Sequence, residues 1–143
     1  MLGKFGPVLP NLGNMRSACG LAGVPPRGTV ARMLAFSEYQ QRAFGTAVYP
    51  GRGEGNFTYP ALGLAGETGE VCEKLKKAVR DDGGIVTPDR KALLAKELGD
   101  VLWYVAALST ELGLSMEEVA AGNLAKLASR KERGVIHGNG DER

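Results

Sequence analysis

At 143 residues and 43% hydrophobic content, the chain is long enough for one domain with a genuine core. A charged fraction of 24% with a net charge of +2 is ordinary for a soluble protein and too small to argue for nucleic acid. No apolar stretch reaches the roughly 20 residues that span a bilayer, and the start lacks the continuous apolar core of a signal peptide.

Residues 1–32 differ from the rest. They hold six Gly and four Pro, no acid, and only isolated apolar side chains. Such a segment cannot bury enough surface to offset its ordering entropy, and it reads as a poorly ordered extension. A targeting peptide and an upstream start site are the other readings, because Met33 opens a cleaner beginning. Two cysteines, Cys19 in this segment and Cys72 inside a helical pattern, fit a reducing cytoplasm better than a disulfide framework.

From Ser37 the pattern is helical. Ser37 and Gln40 have capping-box spacing, and Tyr39, Ala43, Phe44 and Val48 fall at helix-compatible intervals. Pro50 and the glycines of "YPGRGEGN" break the chain. Pro60 is placed as the first residue of a second helix reaching about Val79, with Leu64, Val71, Cys72, Leu75, Ala78 and Val79 close to a 3.6 period. Pro88 opens a third helix to about Leu112, with Gly113 as its C′ residue. Ser115 and Glu118 form a second capping box, starting a fourth helix to about Lys131. No strand pattern competes. The expectation is an all-α, four-helix-bundle-like domain over residues 33–143.

The second helix carries Glu67 and Glu70, and the third carries Glu97 and Asp100. Acids three apart share one side of a helix, and helices joined by a short turn tend to pack antiparallel. If the pairs face each other, four carboxylates converge. Their repulsion calls for a cation, and hard oxygen ligands suit Mg²⁺ or Mn²⁺. Each pair alone is weak evidence, since such acids are common on solvated faces. Three features strengthen it. The third helix continues as the apolar "VLWYVAAL", unlike a plain surface helix. Gly63, Gly66 and Gly69 punctuate the second helix at a propensity cost of up to about 1 kcal/mol each, which fits a close approach by backbone or ligand. The rival metal sites also lack their ligands, because the one histidine, His137, sits in the tail.

On the fourth helix Asn123, Lys126 and Arg130 recur on one face. This stripe reads either as a solvated cationic side or as an amide and two cations for a triphosphate. Tyr104 follows Asp100 by one turn, and Phe57 and Tyr59 precede the Glu67 helix. Core packing is the ordinary role of such aromatics, and stacking on a nucleobase is the functional one.

"YPALGLAGETGEVCEKLKK", "KELGDVLWYVAAL" and "NLAKLASRKERG" together resemble the MazG-like nucleotide pyrophosphohydrolases of the all-α pyrophosphatase superfamily. The resemblance covers about Phe36 to Arg143. It implies Mg²⁺-dependent hydrolysis of a nucleoside triphosphate between the α and β phosphates, giving the monophosphate and pyrophosphate. It implies Glu67, Glu70, Glu97 and Asp100 as catalytic metal ligands, and Asn123, Lys126 and, more weakly, Arg130 at the phosphates. Some relatives have an extra Glu just before the first signature acid, where this chain has Gly66, so the general base falls among the four acids. Homodimers or homotetramers with a pocket completed across subunits are expected. dUTPase-like or phosphoribosyl-ATP hydrolysis is the alternative within the superfamily, and a non-catalytic nucleotide-binding module the alternative outside it.

Overall fold

The computed structural model describes residues 33–135. The readings of residues 1–32, Cys19 and His137 lie outside them. Four helices follow in order: α1 (Phe36–Gly45), α2 (Thr58–Asp81), α3 (Pro88–Glu111) and α4 (Met116–Glu132). No strand occurs among the described residues, and none of their helices is long and apolar enough to cross a membrane. The all-α expectation holds.

Two of the helix starts differ from the sequence reading. Ser37 does not cap α1, whose N-cap is Ala35 without a side-chain hydrogen bond. Gln40 serves tertiary structure instead. Its amide nitrogen donates to Thr110 Oγ1 (3.1 Å) and the Leu114 carbonyl (2.8 Å), and its oxygen accepts from Met116 N–H (2.9 Å). One side chain thereby ties α1 to the α3–α4 turn. Pro60 is the third residue of α2, not the first, and the Asn56 carboxamide oxygen accepts from Tyr59 N–H at that end. A proline is tolerated there because the first N–H groups of a helix lack intrahelical partners.

The other ends follow the sequence more closely. Thr87 caps α3 by accepting from Arg90 N–H, with Pro88 behind it. Gly113, at φ 67°, closes α3 as expected: Leu114 N–H reaches the Ser109 carbonyl at 2.8 Å and Gly113 N–H the Thr110 carbonyl at 3.0 Å. Ser115 caps α4 through Glu118 N–H.

α2 and α3 form an antiparallel hairpin. Its register is read from facing residues: Gly63 meets Tyr104, Lys74 meets Glu97, and Arg90 meets Asp82. One number rises as the other falls. α1 lies across α3, and Trp103 pins it by donating its indole N–H to the Ala43 carbonyl (3.1 Å) and Thr46 Oγ1 (2.8 Å). The core is thin and built from small residues. Ala43, Ala106 and Met116 form one cluster, and Ala47, Tyr49 and Ala107 another, with Trp103 packed against both.

The "YPGRGEGN" loop folds around one carboxylate. Glu111 accepts from Tyr49 Oη (2.7 Å), Gly53 N–H (2.9 Å) and Gly55 N–H (3.0 Å). Burial pushes the Glu111 carboxyl up, but these hydrogen bonds together outweigh it and hold its pKa below the ordinary carboxylate value. A depressed folded-state pKa supplies stability above the unfolded value of about 4.3 and loses it as pH falls through the folded value. Glu111→Gln should therefore cost about 1–3 kcal/mol in urea unfolding at pH 7. That difference from wild type should shrink as both proteins are taken below about pH 4.

Candidate metal centre

Glu67 on α2 and Glu97 and Asp100 on α3 each offer a carboxylate oxygen, and these oxygens lie within 4.8 Å of one another. The hairpin register accounts for it, because the turns bearing Glu67 and Asp100 sit just above the Lys74–Glu97 contact. Glu67 feels the crowding. Burial, then the negative charges of Asp100, Glu97 and Glu70, push its carboxyl above the ordinary value. The donor set is all oxygen, the chemistry of a hard cation.

Glu70 is drawn to the site through a cation instead of joining the triad. Lys74 Nζ lies 3.0 Å from Glu97 Oε1 and 3.6 Å from Glu70 Oε2. Hydrogen bonding to Glu97, against the cost of burial, raises the Lys74 pKa. Lys74 was not singled out by sequence reasoning. Its signal was present in "ETGEVCEK", since a Lys four residues after a Glu shares its helix face.

Of the three glycines on α2, Gly63 alone faces a close neighbour. A Cβ there would collide with the Tyr104 ring, whereas Gly66 and Gly69 meet nothing within 4 Å in this chain. Within one chain the close approach expected at these glycines is met at Gly63. Tyr104 is held edge-on to Trp103 (centroids 4.9 Å, 87°). Burial, and after it Tyr59, Glu67 and Asp100, raise its hydroxyl pKa, which places it beside the carboxylates. Tyr59 stacks on Tyr49 at 4.7 Å and, like Phe57, remains exposed. Tyr39 of α1 also senses Asp100, after burial, in its raised pKa.

The α4 residues stand elsewhere. Asn123 lines an apolar groove of about 440 Å³ with Phe36, Leu102, Val105, Met116 and Leu124. At about 100° per residue, Leu102 and Val105 lie roughly 140–200° around α3 from Asp100. Asn123 is therefore on the opposite flank of α3 from the carboxylates. Lys126 is exposed, and Arg130 is buried at the foot of α4. The three do not form one displayed stripe.

With this geometry in view, comparison with known proteins is decisive. The model of the MazG nucleotide pyrophosphohydrolase domain matches residues 58–135, which include every carboxylate of the cluster. The chain belongs to the MazG nucleotide pyrophosphohydrolase family. It is also 47% identical over 109 residues to the Gene 37 protein of Mycobacterium phage L5, covering 73% of this chain and 96% of that protein. No solved structure is a significant match. The MazG match begins at α2, yet α1 packs on α3 and closes the core, so the folded unit extends upstream of the matched segment.

In this MazG hairpin, Gly63→Ala should separate α2 from α3 at Tyr104 and cost about 1–3 kcal/mol in thermal or urea unfolding. Gly66→Ala has open space for its methyl group, and in the isolated chain it should be neutral or stabilising by up to about 1 kcal/mol.

Proposed function

We propose that the protein is a Mg²⁺-dependent nucleoside triphosphate pyrophosphohydrolase, with Mn²⁺ as an acceptable substitute, that cleaves the α–β phosphate bond. The observation carrying this reading is the meeting of Glu67, Glu97 and Asp100 across the α2–α3 seam, inside the segment that matches the family. Oxygen-only ligands in a crowded anionic site fit a hard divalent cation. Glu67, Glu97 and Asp100 would hold it, with Glu70 at its edge. When bound, the cation supplies neutralisation of phosphate charge and acidification of the attacking water.

The rest falls to the chain's own side chains. One water is consumed: its oxygen joins the α phosphorus, the bond to the bridging oxygen breaks, and its proton passes to a carboxylate. Glu70 is our choice for that acceptor, because it lies outside the triad and is exposed to solvent. Lys126 and Asn123 would meet the charge developing on the departing pyrophosphate. Tyr104, wedged on Gly63, would wall the pocket, and the exposed Tyr59 would offer a platform for a base. House-cleaning of the nucleotide pool in the cytoplasm is the role this activity would serve.

A second copy of the chain is part of the proposal. Leu62, Leu75, Val79, Leu98 and Leu102 are exposed on α2 and α3, as are Leu124 and Leu127 on α4. Such rows on a hairpin support a homodimer or homotetramer. Asn123 and Lys126, displaced from the cluster within one chain, would then enter the site from a neighbouring subunit. Residues 33–143 would form the catalytic domain, and 1–32 an extension outside it.

Pyrophosphate release from a panel of canonical and modified NTPs and dNTPs, dUTP and phosphoribosyl-ATP tests this reading. Wild type should turn over at least one nucleotide with Mg²⁺ and none with a chelator. Glu97→Gln should lose about a hundredfold or more in kcat/KM. No release by folded protein from any of these would return the chain to a nucleotide-binding module. Mixing Glu97→Gln with Lys126→Ala subunits should restore part of the activity if the pocket is shared.

A further inference from the structure

Lys74 stands among the very oxygens that a divalent cation would need, and it is sheltered with one of their bearers, Glu97. The Lys74 and Glu97 side chains are 19% and 17% exposed, unlike an ordinary surface pair. Its neighbours Lys76 and Lys77 pair with Glu73 instead, at 4.0 Å and 3.2 Å. Glu97 has two roles. It belongs to the carboxylate triad and is also the closer partner of Lys74. Glu70, 3.6 Å from the same ammonium, lies one turn back on the same helix and offers it a second seat.

We propose that Lys74 is a built-in counter-cation of the carboxylate cluster. It positions Glu97 and Glu70 while no metal is bound and competes with the entering cation for Glu97. The inference rests on the metal-site reading above. Four acids within one site repel each other, and one ammonium offsets part of that charge at no loss of the hairpin register. The same charge opposes a divalent ion a few ångströms away. Cation entry thus requires Lys74 to release Glu97 and fall back on Glu70. Lys74 sets how tightly the site holds its ion, and it keeps the empty site from splaying.

The experiment measures Mn²⁺ binding by the full chain, through the loss of the free-ion EPR signal, alongside thermal unfolding with and without Mn²⁺. Lys74→Met should bind Mn²⁺ roughly tenfold more tightly than wild type. It should also melt lower without metal and gain more from added Mn²⁺. Lys74→Arg, which keeps the charge, should return metal-free stability and affinity towards wild type, and Lys74→Gln carries the same comparison if Lys74→Met does not fold. Unchanged affinity and melting in folded Lys74→Met or Lys74→Gln, or weaker binding, would overturn the counter-cation role alone. Wild type that folds but binds no Mn²⁺ would overturn the metal-site reading and this inference with it.

Discussion

Like charges brought together across a helix seam dominate this small protein. Glu67, Glu97 and Asp100 converge within 4.8 Å because α2 and α3 are locked in one antiparallel register. An assembly of that kind opposes folding unless something offsets it. Within the chain, Lys74 supplies the offset, bridging Glu97 on the facing helix and Glu70 on its own. Lys74 and Glu97 are the sheltered members of the group, so the charge problem is solved on the hairpin and away from the thin alanine core.

The register itself depends on contacts at both ends of the hairpin. Gly63 lets the Tyr104 ring lie against the α2 backbone. At the other end of the hairpin Arg90 grips Asp81, the last residue of α2, and Asp82, its C-cap. A slip by one residue would rotate each carboxylate about 100° around its helix and disperse the cluster. Trp103 carries the constraint outward, because its indole N–H fixes α1 while its ring meets Tyr104. Glu111 extends the same logic to the glycine-rich loop, which gathers on one carboxylate and stacks Tyr49 on Tyr59 of α2. Interlocked polar contacts thus do much of what a large hydrophobic core does elsewhere.

That economy leaves long apolar rows on α2, α3 and α4 facing outward. The apolar run after Asp100 is unlike a plain surface helix. In the single chain only part of it is enclosed: Ala106 and Ala107 are fully buried, whereas Leu102 remains 37% exposed.

The four helices are set by chemistry local to each turn of the chain. Pro88, Gly113 and Ser115 act on the backbone groups of their own turns, so their effect is legible without neighbours. The two acidic pairs were legible for the same reason, each being a spacing on one helix. Tertiary structure alone decided which members of the pairs would meet. It placed Glu67 in the triad and tied Glu70 to it through Lys74, and it took Gln40 from a supposed cap to a bridge between α1 and α4. It also set Asn123 on the far flank of α3 from the acids. Those outcomes turn on how two helices are rotated against each other, and the periodicity of one helix carries no record of its partner's rotation.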